Sequence, residues 1–331
     1  MAQVATEQAA LAGTIPDLID GSIRRSGADQ SALIADGGEG ERISYAELGR
    51  RIGAVAGGLN SLGVRRGECV ALLSENRPEW AISYLAILSA GATVVPLDAL
   101  LKPEEHMTLL QESCPTAIII SSKFLNPLQK RLHESLPDIT VITIDDADSD
   151  GHSFVKLLAF QPYTCTQIDP DQTAALIFTS GTTGKPKAVQ LTHRNISSNI
   201  ESIFRALEFS PRDRFLSVLP LSHVYECTAG FLTALAAGAS ITYARSLAAP
   251  SLVEDLRNNE ITILVGVPLL FEKMRRGFER KIKQAPFVRR ALFAILYQFA
   301  SFSKRVGAPL GKSLFAGLRK KAGMGALRLI V

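Results

Sequence analysis

Four short apolar runs recur along the first half of the chain, at 69–73, 93–97, 117–121 and 140–144, with helix-forming stretches between them. Each run is about one strand long. Runs that are apolar at successive positions suit strands covered on both faces. The stretches between them carry helical spacing. Leu48, Ile52, Val55 and Leu59 fall on one face, after a Ser44 that has Glu47 three residues on, as in a capping box. Residues 78–89 and 104–112 predict two more helices. Alternation of this kind constrains the chain to an α/β fold, a mainly parallel sheet with helices on its faces.

The pattern continues through the second half. Residues 174–178, 188–191, 215–219, 240–243 and 261–265 read as strands. A helix from about Arg194 places Ile196, Ile200, Ile203, Phe204 and Leu207 on one stripe. Residues 145–161 are polar and turn-rich and read as a linker. Two lobes of mainly parallel sheet flanked by helices are therefore expected, 1–150 and 151–331. Two uncharged runs, 80–97 and 227–244, each reach 18 residues, a length that could cross a bilayer. Gly91 and Pro96 interrupt the first, Gly230 and Gly238 the second, so each reads as a helix, a glycine stop and a strand. With 331 residues, 47% hydrophobic and 21% charged, the chain has material for a large core.

Cysteines stand singly at 69, 114, 165 and 227, and the five histidines are as scattered. No zinc or redox spacing results and no metal site is expected, which fits a reducing compartment. Residues 1–16 lack the positive start and apolar core of a secretory signal, so the expected location is the cytoplasm.

The chemistry concentrates in one nine-residue stretch: Thr179, Ser180, Gly181, Thr182, Thr183, Gly184, Lys185, Pro186, Lys187. Glycines let backbone N–H groups approach an anion, hydroxyls donate to phosphate oxygens without adding charge, and lysines neutralise what remains. A polyphosphate suits that set of groups. A Walker A loop would need four residues between its glycine and the Gly-Lys pair. Here Thr182 and Thr183 alone separate Gly181 from Gly184, proline follows the lysine, and strand patterns flank both sides.

The stretch resembles the phosphate-binding signature of the adenylate-forming superfamily, which includes acyl-CoA synthetases, luciferases and peptide-synthetase adenylation domains. Ala188 stands where that signature has its last glycine, and Thr192-His193 follows as in the family. Residues 43–48 (Ile-Ser-Tyr-Ala-Glu-Leu) and 90–98 (Ala-Gly-Ala-Thr-Val-Val-Pro-Leu-Asp) resemble two earlier family motifs. Residues 219–226, Leu-Pro-Leu-Ser-His-Val-Tyr-Glu, resemble the motif that shapes the acyl and adenylate pocket. Gly266, Val267 and Pro268, then Glu272-Lys273-Met274, resemble a later pocket-lining segment.

The resemblance implies two half-reactions. A carboxylate attacks the α-phosphorus of Mg2+-bound ATP, giving acyl-adenylate and pyrophosphate; coenzyme A thiol then displaces AMP to give a thioester. It implies that loop 179–187 holds the β and γ phosphates and that His223 borders the carboxylate. Val224, Tyr225, Glu226, Gly266, Val267 and Pro268 would line the pocket. Read by residue type alone, His223 also suits a core histidine, Glu226 a surface charge and Asp98 a cap of the next segment.

Several family segments do not appear: an aromatic-Gly-x-Thr-Glu segment for adenine and magnesium, a Thr-Gly-Asp segment for ribose, and the lysine of a mobile C-terminal domain. The sequence stops within 326–331, which reads as a buried strand. An incomplete piece of an enzyme, inactive by itself and without the C-terminal lid, is therefore expected. A non-catalytic nucleotide- or acyl-binding module, or an adenylate-former for another acid or for a carrier-protein acceptor, remain as alternatives.

Net charge is only +4, yet residues 272–331 hold 15 Lys or Arg against two acidic residues. Phe287, Phe293, Tyr297, Phe299 and Phe302 lie among these charges. A basic helix with an apolar face can lie on an anionic membrane; it can also pack, with its charges paired elsewhere in a longer protein. Both readings stand, with peripheral membrane contact through 273–321 as one of them. Long-chain acyl-CoA synthetases resemble the chain here, so a long-chain fatty acid is the expected substrate. No nucleic-acid motif is present and the aromatics lie on an apolar face, so nucleic acid is not an expected partner.

Overall fold

The computed structural model describes residues 13–145, 151–179, 186–284, 286–305 and 310–331. The helices are α1 (Ile15–Arg25), α2 (Tyr45–Ser61), α3 (Pro78–Ser89), α4 (Pro103–Ser113), α5 (Ser122–Ser135), α6 (Phe154–Leu157), α7 (His193–Ala206), α8 (Thr233–Ala236), α9 (Ala249–Asn258), α10 (Pro268–Lys283), α11 (Phe287–Arg305), α12 (Gly311–Leu314) and α13 (Ala316–Lys321). A π-helix, Glu226–Leu232, leads directly into α8. The strands are β1 (Ser31–Ile34), β2 (Arg42–Ser44), β3 (Cys69–Leu73), β4 (Thr93–Pro96), β5 (Ala117–Ile120), β6 (Thr140–Thr143), β7 (His152–Ser153), β8 (Thr173–Thr179), β9 (Lys187–Thr192), β10 (Arg214–Ser217), β11 (Ser240–Tyr243), β12 (Ile263–Leu264) and β13 (Leu329–Ile330).

Local chemistry sets several of these boundaries. Ser44 accepts the Glu47 amide at 3.3 Å and starts α2. The reciprocal half of the expected capping box does not form, because the Glu47 carboxylate is taken by Arg50 and Arg51. Those guanidiniums hold its pKa down at about 2. Thr192 and Asn195 cap α7 reciprocally, each side chain accepting the other's amide at 3.1 Å. Both uncharged 18-residue runs divide as expected. The first is α3 and then β4, with Gly91 at φ +79°; the second is the π-helix with α8 and then β11, with Gly238 at φ +73°. No helix of the described residues is long and apolar enough to cross a membrane.

Two sheets form. One has seven strands in the order β7-β6-β5-β3-β4-β8-β9, parallel except for the β8–β9 hairpin. The other has six, β13-β12-β10-β11-β1-β2, parallel except for β1–β2. The expected architecture of two mainly parallel sheets flanked by helices is therefore the observed one. Sheet membership does not follow the boundary expected at residue 150. β1 and β2 join the later strands through the parallel β1–β11 pairing, and β7, β8 and β9 join the earlier ones. Pairing partners in a sheet are set by long-range register and burial, neither of which a local pattern reports.

α3 explains how the sheets share one core. From Trp80 to Ser89 it is buried on every side, as expected of a helix apolar all round. Its Trp80 and Tyr84 stack at 5.3 Å and meet Phe231 of the π-helix edge-on. One continuous apolar cluster holds Val70 and Val94 of the seven-stranded sheet together with Phe215 and Ile241 of the six-stranded one.

Of the segment expected to be a linker, the described residues 151–161 pack in part. Its residues 152–157 form β7 and α6, and the chain beyond seats on a glycine face of α2. A Cβ on Gly57 would stand 2.1 Å from the Gln161 carbonyl oxygen, one on Gly53 2.9 Å from Pro162, and one on Gly58 2.6 Å from Leu157. The strand expected at 326–331 is shorter and less covered: β13 is two residues at the edge of its sheet, with Ile330 51% exposed.

Candidate active site

In an open parallel sheet, ligand-binding groups gather beyond the carboxyl ends of the strands. Here those ends converge from both sheets. Asn76 follows β3, Asp98 follows β4, and His223 follows β10. Gly266, Val267 and Pro268 follow β12, and Thr179 ends β8.

Asn76 joins the sheets. Its amide nitrogen donates to Ser217 Oγ at 3.1 Å and to the Leu219 carbonyl at 2.6 Å, and its Oδ1 accepts the Leu221 amide at 3.1 Å. Three bonds from one side chain thus fix the turn that carries His223. Ser217 then donates to Glu226 Oε1 at 2.9 Å. Asn76 and Ser217 were not among the residues expected from sequence. The signal that could have found Asn76 is its place, a polar residue just beyond a fully apolar parallel strand.

His223 is exposed, which excludes the core-histidine reading; its Nε2 lies 3.5 Å from Asp98 Oδ2, with side chains 57% and 21% exposed. Asp98 Oδ1 accepts the Leu100 amide at 3.0 Å, a turn bond two residues along, whereas the N-cap of α4 is Lys102, so Asp98 does not cap that helix as its sequence suggests. Val224 and Tyr225 are exposed next to His223. Glu226 is the opposite of a surface charge: it is 1% exposed. Its Oε2 has no hydrogen-bond partner, and burial pushes its pKa up to about 8 while the Ser217 hydroxyl pulls the other way. A side chain at Gly230 is excluded by this carboxyl, which would lie 2.7 Å from its Cβ. The same burial pushes the neighbouring Cys227 thiol up to about 12. A π-turn inserts one extra residue into a helix and is frequent at functional sites.

Gly266 donates its amide to the Val331 carbonyl at 3.0 Å, and its hydrogen faces the Phe271 ring, 2.6 Å from where a Cβ would be. Val267 caps α10 and is exposed, and Pro268 is the first residue of that helix.

Thr179 and Lys187 form the last cross-strand pair of the β8–β9 hairpin. Thr179 Oγ1 and the Lys187 carbonyl are 3.5 Å apart. Ser180, Gly181, Thr182, Thr183, Gly184 and Lys185 lie outside the described residues. Ala188 pairs with Phe178 within the ladder, so its methyl stands on β9 and not in the loop. Among the described residues, no group of three His, Cys, Asp or Glu is placed to hold a metal ion.

A family model described as AMP-binding enzyme matches residues 20–329. A crotonobetaine/carnitine–CoA ligase of Escherichia fergusonii is 31% identical over 257 residues, 74% of this chain and 49% of that protein. The chain spans about half the length of the curated relatives it matches. Among solved structures, ATP-bound MatB from Rhodopseudomonas palustris is similar with a TM-score of 0.69 at 22% identity, over 95% of this chain and 54% of that one. The N-terminal domain of FACL13 from Mycobacterium tuberculosis gives a TM-score of 0.71 at 23% identity, over 82% and 65%.

Proposed function

The chain belongs to the AMP-binding enzyme family, and we propose that the protein it comes from activates a carboxylic acid with ATP, through an acyl-adenylate, and passes the acyl group to coenzyme A. The observation that supports this reading is the pairing of His223 with Asp98 beyond the strand ends of both sheets, with the 266–268 turn following β12, the parallel neighbour of β10, and Thr179 ending β8, the parallel neighbour of β4. The hydroxyls and lysines of 179–187 suit the β and γ phosphates. Mg2+ would come with the nucleotide, bound chiefly by phosphate oxygens and water. His223, with Val224 and Tyr225 beside it, suits the wall against which the carboxylate lies. In-line attack on phosphorus gathers negative charge, so donors fixed in advance count most; the three bonds of Asn76 supply that fixity to the His223 turn.

Within that reading the acid is a long-chain fatty acid. Support comes from α10 and α11, which follow the pocket turn and carry the basic, aromatic segment that resembles long-chain ligases. A second reading, a short polar acid, has support from the relatives named crotonobetaine/carnitine–CoA ligase at 31–32% identity. Acid-dependent release of pyrophosphate by the full-length gene product, measured with acids from carnitine to palmitate, separates the two. The highest kcat/KM is expected with the longest chains. A preference for carnitine overturns the acid assignment, and no release with any acid overturns the reaction. The 331 residues alone are expected to show no exchange of pyrophosphate into ATP.

A further inference from the structure

α11 carries a row of large apolar side chains that stay exposed among the described residues. Val288, Leu292, Ile295, Phe299 and Phe302 are spaced by four, three, four and three residues and are each between 52% and 75% exposed. At helical spacing these five share one arc of about 80°, roughly 21 Å long. The other side of the helix is in use. Phe293 stacks on Tyr297 at 6.1 Å and meets the Phe315 ring at 5.4 Å, which fixes α11 against the segment joining α12 to α13. The exposed arc is therefore not the side that holds the helix to the fold.

Charge decides what would cover it. From residue 280 to 331 the sequence has twelve Lys or Arg and no Asp or Glu. Arg280 and Lys283 on α10, Arg290 on α11, and Lys320 and Lys321 on α13 are exposed. Arg275 and Arg276, by contrast, are paired to Glu279 and Glu272 at 2.6 and 3.1 Å. A predominantly cationic segment with an exposed apolar row fits the boundary of an anionic bilayer, where the row enters the acyl region and the cations meet headgroups.

We propose that α11 docks the protein in the plane of an anionic lipid surface, with the 288–302 arc immersed and the cations of α10 and α13 on headgroups. The helix does not span, since none among the described residues is long and apolar enough. This inference is independent of the acid and of the ATP chemistry.

Co-sedimentation of the full-length gene product with vesicles tests it, using phosphatidylcholine alone or with about one-third phosphatidylserine. Binding is expected to the anionic vesicles, at least tenfold stronger than to neutral ones, and to fall steeply at high salt. Lys320→Gln with Lys321→Gln should weaken it about thirtyfold, at roughly fivefold per basic residue. Ile295→Ser with Phe299→Ser should abolish it. Circular dichroism should be unchanged in both variants, because the replaced side chains are exposed. No binding to either vesicle overturns the proposal, as does equal, salt-insensitive binding to both. So does self-association without lipid that Ile295→Ser with Phe299→Ser removes, since a second copy would then be what covers the arc.

Discussion

Glu226 keeps its proton across a pH range in which an exposed glutamate has lost it. Its native pKa near 8 stands above the ordinary 4.5, so the native state binds more protons than the unfolded chain between those values. Stability from this group is complete below about pH 4.5 and is lost as pH rises through 8. At about 1.4 kcal/mol per pH unit the loss is at most about 5 kcal/mol. Glu226→Gln keeps the shape, accepts the Ser217 hydroxyl, and cannot ionise. Urea unfolding at pH 5 and pH 8 should show the two proteins nearly equal at the lower pH and the variant more stable by a few kcal/mol at the higher. Equal stability at both would mean that Glu226 is ionised and solvated. Part of this was legible in the sequence, where Glu226 stands at the head of an 18-residue uncharged run. Its burial was not, because burial depends on the Ser217 hydroxyl and the side-chain-free Gly230, which a one-dimensional reading does not bring together. Asn76 is the stronger example, since its three bonds all reach more than 140 residues along the chain.

The elements themselves were largely legible. α3 and β4, and the π-helix with α8 and β11, fall where glycine stops divide apolar runs, and punctuation of that kind is local. The segment 145–161 was not, because its polar composition says nothing about the groove waiting for it. That groove is made by absent side chains: Gly53, Gly57 and Gly58 on α2. The substitution glycine to alanine should therefore change sign with position. Gly21→Ala in α1 meets only the flexible tip of Arg25, at 3.1 Å. It should gain up to about 1 kcal/mol from helix propensity. Gly57→Ala puts a methyl 2.1 Å from a backbone carbonyl. Overpacking of this sort costs about 1–3 kcal/mol, which offsets and exceeds the same propensity gain. Thermal unfolding of both variants decides it: if Gly57→Ala is stabilised like Gly21→Ala, the 160–162 segment is not seated on α2.

At the scale of the molecule, alternation of strand and helix settles the class, but not which strands share a sheet. β1 reaches β11 across about 200 residues of sequence and carries β2 on its other edge, while α3 lies at the centre with both sheets' side chains around it. A chain of 331 residues often unfolds in parts. Here the continuous cluster argues that the two sheets open together, whereas α10 and α11 bury little and should open alone. Native-state hydrogen exchange read by mass spectrometry resolves the two levels. Peptides from β3 and β4 and from β10 and β11 should share one opening free energy, the highest in the molecule, and a destabilising change at Trp80 should lower all four alike. Trp80→Ala removes a fully buried ring and should cost about 3–5 kcal/mol. Peptides from α11 should exchange far faster and should not respond to it. If β10 and β11 kept their protection while β3 and β4 lost theirs, α3 would be packing on one sheet only, and the strand ends that build the candidate site would be held together by polar contacts such as the Asn76 bonds and the His223–Asp98 pair.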